Sequence, residues 1–564
     1  MKLVLVNIPA GAYPTDFPPV GISRVIEGLD PGLGCEPFFV NLDGERLSFE
    51  KIEEKVRAIK PRVIGLSAIL TPTYRYVKQL SLFLKDRFPE IVQVLGGEMA
   101  VIAHVILLKT SVDFCVMGES EPAFSHLLAR LEKHAFNISD KALFGDIAGL
   151  AFLSDNKVVF TGASAKDKPV RGINYALLSR FTSLQRYIYP IPGKHYRERI
   201  NKNEISSFLS LFERANLPRN MATVLASHGC VGKCTFCHRY YTGYTVIDVS
   251  SVIGQLRYLM EHHGVGMILF QEENFGSNTS ATEELLRFLK EAKLNWAATA
   301  VRVTSLNEER IKSWKEAGCV HINFGIESCS QKMLDVMEKY ATVEDNLRAL
   351  RLCNKYNILT ILGLVIGMPG ETEETIEETI QNLSTVIPDN IAMPYEICVN
   401  YFQAVPGTPG YEYARKTGLI GTSLEEEERY IIELNDRGAN DIRQYLNFTD
   451  YQKEETAYWK HYIFMELVIA YMRKHGMINI LRHRRARRYA YGMVYMLFPK
   501  FLRKFILKYL TIIRQFGIRS LVRVIFLKVI LDKTSRFSGI DRSLRKVNAE
   551  SPDTGTVLSI RNET

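Results

Sequence analysis

The sequence predicts an α/β protein in three parts: an amino-terminal doubly wound parallel sheet, a partial (β/α)6 barrel, and a carboxy-terminal α-helical extension. Short apolar runs alternate with helical stretches over residues 1–164 and again over 221–420, the rhythm of parallel strands joined by helical crossovers. Polar residues and glycines collect where the apolar runs stop, which is where such sheets bind ligands. Beyond residue 421 helical patterns follow one another with no strand between them. At 564 residues the chain is too long for one core.

In the first part, "KLVLVNI", "RVIGLSAIL", "IVQVLGG" and "VDFCVMGES" read as strands, separated by the helical "SFEKIEEKVRAI" and "YRYVKQLSLFLKDRF". Ser67 to Ile69 ends one strand, Gly96-Gly97-Glu98 the next, and Gly118-Glu119-Ser120-Glu121 the one after. Turn chemistry alone accounts for such glycines; a ligand groove at the strand ends accounts for them equally. Residues 165–220, with prolines and scattered charge, read as a connecting segment with one helix near Ser206 to Arg214.

In the second part, six strand-then-helix units begin near Met221, Gly266, Asn295, His321, Leu359 and Tyr395. Barrels place chemistry at the carboxyl ends of strands. The residues there are Glu272, Glu273 and Asn274, then Arg302, then Glu327 and Ser328, then Gly363, Gly367, Gly370 and Glu371. Glu327 or Arg302 alone would read as a salt-bridged barrel residue.

Immediately after the first of these strands comes "SHGCVGKCTFCHRYY", with Cys230, Cys234 and Cys237 in CxxxCxxC spacing. Three thiolates so close can ligate three irons of a [4Fe–4S] cube and leave the fourth open to a small molecule. A zinc site with His238 as fourth ligand, or three buried thiols, are the other readings. Zinc ligands usually come as two separated couples. Cys35, Cys115, Cys319, Cys329, Cys353 and Cys398 are scattered and read as packing residues.

In the third part, "SLEEEERYIIELND" reads as an acidic helix solvated on one face, and "YWKHYIFMELVIAYMRKHG" as a helix packed on the barrel. Phe501, Phe505, Tyr509 and Ile512 or Ile513 then recur at helical spacing, interleaved with Arg503, Lys504, Lys508 and Arg514. From Arg473 to Lys546 there are 20 Lys or Arg against Asp532 and Asp541, within a chain whose net charge is +9. A basic amphipathic helix suits an anionic membrane surface, so peripheral contact through residues 482–531 is expected; a helical extension packed by its apolar face is the alternative. Aliphatic residues between the basic ones argue against nucleic acid. The tail from 549 to 564 reads as disordered.

The start, "MKLVLVNIPAGAYP", reads as a first strand, and no run of about 20 apolar residues predicts a membrane span. Nine cysteines with a clustered trio suit a reducing compartment. A cytoplasmic protein is expected, peripheral at the inner membrane face if the basic tail binds there.

The cysteine triplet, with Phe236 before its last thiol, resembles the radical S-adenosylmethionine (SAM) superfamily. "AGCVHINFGIES", "GLVIGMPGETEET" and "AVPGTPGYEYA" resemble the signatures of its cobalamin-binding subgroup. Ser67-Ala68-Ile69 followed by Gly96-Gly97 resembles that subgroup's cobalamin groove, and "PPVGISRVIEGL" its first helix. The D-x-H-x-x-G loop that supplies a lower axial histidine in many cobalamin proteins is absent, and no histidine precedes His104. The resemblance implies a Rossmann-like cobalamin domain over 1–164, a TIM-like radical SAM barrel over 221–420 and a helical domain over 421–548. It implies a [4Fe–4S] cluster on Cys230, Cys234 and Cys237, with SAM near Phe236, Glu272, Glu273, Arg302, Glu327, Gly363 and Gly367. Cobalamin would lie on Ser67, Ile69, Gly96, Gly97, Glu98, Gly118 and Glu119. The activity implied is reductive cleavage of SAM to a 5′-deoxyadenosyl radical, used to methylate an unactivated carbon. An oxidative cyclase with the same cofactors and a non-catalytic sensor are the alternatives. The partners implied are a small-molecule substrate, such as a lipid, isoprenoid or tetrapyrrole, and an electron donor such as flavodoxin or ferredoxin.

Overall fold

The computed structural model describes residues 1–11, 14–118, 120–163, 170–190, 220–238, 243–392, 394–435, 442, 445–483 and 486–521. The helix expected near Ser206 to Arg214 and the tail from 549 lie outside these residues.

Seven strands form the first sheet: β1 (Lys2–Asn7), β2 (Glu36–Asn41), β3 (Val63–Ser67), β4 (Val92–Gly96), β5 (Phe114–Val116), β6 (Leu150–Ser154) and β7 (Lys157–Phe160). Their order is β2-β1-β3-β4-β5-β6-β7, parallel from β2 to β5, with β6 and β7 added antiparallel at one edge. Neighbouring side chains of β1 go to opposite faces. Val4 and Val6 join one core with Ile52, Val56, Leu80 and Leu84, while Leu3 and Leu5 join another with Ile22, Phe124 and Leu127. The helices behind those cores are α1 (Val20–Glu27), α2 (Phe49–Ile59), α3 (Leu70–Arg87), α4 (Ala103–Lys109) and α5 (Ser120–Lys133). Burial on both faces is why these strands read as unbroken apolar runs; each such side chain contributes about 1.5–3 kcal/mol. The chain leaves β1 toward β2 on one side and β3 on the other, so a crevice opens at the carboxyl ends of β1 and β3.

Ahead of the second sheet, β8 (Ile188–Pro190) pairs antiparallel with β9 (Asn220–Val224). Then come β10 (Ser227–Gly229) and β11 (Tyr244–Val246), a two-stranded clasp, followed by β12 (Val265–Phe270), β13 (Asn295–Val301), β14 (Cys319–Glu327), β15 (Leu359–Ile366) and β16 (Glu396–Tyr401). The order β16-β15-β14-β13-β12-β9-β8 contains the six expected parallel strands. They are backed by α6 (Val249–His263), α7 (Thr279–Glu291), α8 (Glu308–Glu316), α9 (Val343–Lys355), α10 (Glu373–Ser384) and α11 (Pro409–Lys416). Along β14, Ile322, Phe324 and Ile326 are buried in the core under the helices, which leaves Asn323, Gly325 and Glu327 for the inner face. Two signature threonines start helices: Thr372 caps α10 in a reciprocal box with Thr375, and Thr408 caps α11 ahead of Pro409.

Helix α12 (Leu424–Asn435) is the acidic helix of the sequence; Glu425, Glu426 and Glu433 are exposed on its solvated side, while its other side carries charge into the protein. It packs on α3 and α4 of the first sheet. Glu425 pairs with Lys109 at 2.8 Å, Glu427 with His104 at 2.9 Å, and Glu428 with both Lys78 and the Tyr74 hydroxyl at 2.5 Å. A run of glutamates looks the same in sequence whether water or a cationic helix faces it. A second seam lies by the clasp, where Arg24 of α1 reaches His228 at 3.4 Å and Asn41 donates to the Tyr187 hydroxyl at 2.7 Å.

Helix α13 (Trp459–His475) packs on α10, and α14 (Lys500–Phe516) packs on α13. Arg503, Lys504 and Lys508 of α14 turn inward, against the amphipathic expectation, while Arg514 stays exposed. Arg503 makes a two-pronged pair with Glu466 at 2.7 and 2.8 Å, Lys504 meets Glu373 at 3.0 Å and Lys508 meets Glu455 at 2.9 Å. Phe501 and Phe505 face outward, 75% and 56% exposed. Among the described residues no helix is long and apolar enough to cross a membrane.

Candidate active site

The cysteine loop leaves β10 and returns on β11, and the clasp closes its neck. Gly229 has φ +77°, and a Cβ there would stand 2.2 Å from the Gly243 carbonyl oxygen, so the neck admits only glycine. Buried Thr235 pins the loop: its amide donates to the Met337 carbonyl at 3.0 Å, its hydroxyl to that of Val336 at 3.1 Å, and its carbonyl accepts from the Gly410 amide at 3.1 Å. Cys234 is buried, Cys230 half-buried and Cys237 exposed. The surrounding protein pushes the Cys234 thiol up, and pushes that of Cys237 to about 12, reinforced by the neighbouring thiols. Among the described residues no three His, Cys, Asp or Glu side chains gather as a single metal ion would require.

Around this loop the strand ends bring charge. Arg302, just past β13, donates to the Lys339 carbonyl at 2.8 Å and lies against Gly232, where a Cβ would come within 2.5 Å of its Nη1. Glu327, at the end of β14 with φ +59°, accepts from Lys339 Nζ at 2.8 Å. Both side chains are nearly enclosed, and the pair sits over Gly325, where a Cβ would stand 2.4 Å from Glu327 Oε1. Lys339 also lies 6.0 Å from the Phe236 ring centre and is flanked by Glu338 at φ +48° and Tyr340 at φ +50°. Left-handed backbone at non-glycine residues costs about 1–3 kcal/mol each and clusters at functional sites. Sequence reading missed Lys339; nothing in "LDVMEKYA" marks that lysine as bound for the barrel mouth.

The two neighbouring glutamates part company. Glu273 lies 4.0 Å from His238 and accepts from the Gly229 amide, on the loop's side. Glu272 is buried against the clasp, accepting from the amide and hydroxyl of Ser227, and burial pushes its carboxyl to about 8. Gly363 lies beside Gly325 in the β14–β15 register, on the inner face. Gly367 packs instead on Tyr445, whose hydroxyl donates to its carbonyl at 3.1 Å. Of the SAM-site residues expected, Phe236, Glu273, Arg302, Glu327 and Gly363 share the mouth; Glu272 and Gly367 do not.

The first sheet carries a groove of about 550 Å³ at the carboxyl ends of β1, β3, β4 and β5, lined by Gly21, Gly65, Ser67, Gly96, Gly97 and Gly118 among others. Gly97 has φ +87°, and a Cβ on it would meet the Ala68 carbonyl oxygen at 2.6 Å; a Cβ on Gly96 would meet nothing within 4 Å. Ile69 is exposed beside the groove, and Glu119 lies outside the described residues. Glu98, which follows the groove, has its carboxyl pushed up to about 7 by burial and then by the charge of Glu273. Glu98, at the end of the groove, is thus within electrostatic reach of Glu273 at the barrel mouth.

These surroundings fit the groups expected. Three thiols on a pinned loop are donors for iron–sulfur binding, and a groove whose glycines alternate with apolar side chains such as Leu5, Val94 and Phe124 has room for a ligand tail. Residues 7–128 match the family model of the B12 binding domain, and residues 224–383 that of the radical SAM superfamily. The chain belongs to the radical SAM superfamily and carries a B12-binding domain. This radical SAM protein is 27% identical over 375 residues to an anaerobic magnesium-protoporphyrin IX monomethyl ester cyclase of Cereibacter sphaeroides; the match covers 64% of the chain but only 56% of the cyclase. It is 25% identical over 444 residues to an uncharacterized methyltransferase of Pyrococcus horikoshii, covering 75% and 85% of the two chains. Its fold is that of the cobalamin-dependent SAM radical enzyme OxsB, whose structure holds aqua-cobalamin and SAM. The TM-score there is 0.59 at 14% identity, over 98% of this chain and 84% of OxsB.

Proposed function

We propose that this radical SAM protein is a cobalamin-dependent methyltransferase acting on an unactivated carbon of a small, hydrophobic metabolite. The observation that carries the reading is the thiol triplet of Cys230, Cys234 and Cys237, set against Arg302, Lys339 and Glu327, with Glu98 at the end of the glycine-lined groove in electrostatic reach of the barrel mouth. On one-electron reduction, cluster and SAM together supply a 5′-deoxyadenosyl radical, and the corrinoid carries the methyl group.

The chain's own residues bind and orient. The thiols lose their protons on metal binding. Phe236 lies along the adenine side, and Glu273, rather than Glu272, is placed for the SAM amino group. Arg302, joined by Lys339, takes the carboxylate. Glu327 and Gly363 line the ribose and adenine. Ser67, Ile69, Gly96, Gly97, Glu98, Gly118 and Glu119 hold the corrinoid, within a domain spanning 1–164; the barrel spans 221–420 and the helical part 421–548.

A lipid, isoprenoid or tetrapyrrole is the substrate class, a reading supported by the cyclase among the relatives and by a hopanoid C-2 methylase of Rhodopseudomonas palustris, 25% identical over 210 residues. A flavodoxin or ferredoxin supplies the electron. The cytoplasm suits nine free thiols, and the basic composition of residues 473–546 supports a peripheral place on the membrane.

The cyclase among the relatives favours a second reading, oxidative cyclisation without methyl transfer. Anaerobic incubation of the reconstituted protein with methyl-labelled SAM and a cell extract separates the two. Label in an extracted product is expected; 5′-deoxyadenosine without label in any product selects the cyclase. The C230A variant should lose its iron and form no deoxyadenosine.

A further inference from the structure

Eleven of the seventeen large hydrophobic side chains exposed among the described residues fall between Met477 and Ile518. The most exposed are Leu497 (81%), Phe501 (75%) and Ile518 (68%), and those from Leu497 through α14 make an outward apolar face. The face exists because α14 is turned over. Its cations Lys500, Arg503, Lys504 and Lys508 reach down to Glu377, Glu466, Glu373 and Glu455, and that docking leaves its aromatic stripe pointing away from the protein.

We propose that this face, centred on Leu497, Phe501 and Phe505, inserts into the surface of an anionic phospholipid bilayer. The inference rests on the membrane-associated reading above and reverses its physical basis: the cations of α14 fasten the helix to the protein, and the apolar face makes the contact.

Charge selects the occupant. Residues 473–521 contain no Asp or Glu. Around the apolar face Arg473, Arg482, Arg514 and Arg519 stand exposed, where arginines in the headgroup layer attract anionic lipid. An open groove lined by Arg473, Met496, Leu497 and Lys500 among others lies beside Leu497. A second copy docked through the same face would set arginine against arginine with no acid to meet it. Folding back of residues 522–546 would bring seven more cations against Asp532 and Asp541 alone. An anionic sheet complements the face where either protein surface repels it. Peripheral helices that present a large apolar face with flanking cations bind in this way.

The test is sedimentation of the full-length protein with vesicles of phosphatidylcholine alone and of phosphatidylcholine with phosphatidylglycerol. Binding to the anionic vesicles is expected, weakened but not abolished at about 0.5 M salt, where charge is screened. The L497S/F501S double variant should lose about tenfold in partitioning, and the F501W variant should blue-shift its fluorescence on the vesicles. Both positions are so exposed that folding is spared, which circular dichroism checks. If the double variant binds like the parent, the face is not the anchor and the proposal falls while membrane association stands. If the parent binds neither vesicle, both fall. A dimer that the double variant dissociates overturns the proposal in favour of a protein interface.

Discussion

Glu427 of α12 takes the imidazole of His104 at 2.9 Å across the seam between the two sheets, with the Tyr411 hydroxyl on its other oxygen and Arg415 at 2.6 Å. Its carboxyl is almost fully enclosed. Burial pushes its pKa up, but His104, Tyr411 and Arg415 outweigh burial and hold it below the ordinary carboxylate value. The stabilisation is therefore present above the unfolded carboxylate range and is lost as pH falls through the lower folded value. Glu427→Gln should cost about 3 kcal/mol near neutral pH, since it strands Arg415 beside a neutral group. The difference between variant and parent should shrink in acid; denaturant melts across pH measure it.

Gly96 and Gly97 are neighbours with opposite tolerances. G97A forces a side chain into left-handed backbone and onto the Ala68 carbonyl, and should destabilise the apoprotein by about 1–3 kcal/mol. G96A meets nothing in the protein, so the fold should keep its melting temperature. Its methyl group points into the groove's space, and corrinoid uptake, read from the visible spectrum after reconstitution, should fall.

Glu98 carries a carboxyl raised to about 7 by burial and by Glu273. A raised acid binds its proton more tightly folded than unfolded, so apoprotein stability falls as pH climbs from the ordinary carboxylate range to about 7. Glu98→Gln should leave the melting temperature unchanged in acid and raise it above about pH 7. A scan of apoprotein melting temperature against pH checks both arms.

Arg503→Met should destabilise by about 3 kcal/mol although it changes a terminal helix, because Glu466 loses both hydrogen bonds of a pair only 3% and 7% exposed. Replacing both residues by apolar ones should recover much of the loss. Urea melts of the single and double variants decide it.

Strands β1, β3, β4 and β5 of the first sheet and the six parallel strands of the second were legible because each is an apolar run that ends in polar residues or glycine; β2, β6, β7 and β8, lying at or beside sheet edges and only partly buried, were not. The cysteine triplet was legible as local spacing. The clasp of β10 and β11 was not, since three-residue strands carry no period. Lys339 escaped because its role comes from Glu327, 12 residues away on the other side of the short helix Gln331–Val336. Glu272 and Glu273 could not be told apart, since adjacency hides which one the strand turns inward. The acidic helix has the solvated side expected of it, but its pairing with Lys78 and His104, and that of the basic helix with Glu373, Glu455 and Glu466, was hidden for one reason: sequence displays a charge but not the opposite charge waiting for it.

Helix α12 fixes more than stability. Its glutamates tie the segment that follows the barrel to the first sheet, through Lys109, His104, Lys78 and Tyr74, and Glu427 extends the tie to Tyr411 and Arg415 of α11. Because carboxylates make every one of these ties, acid discharges them as a group, and the fastening between the two halves weakens with falling pH before either core is touched.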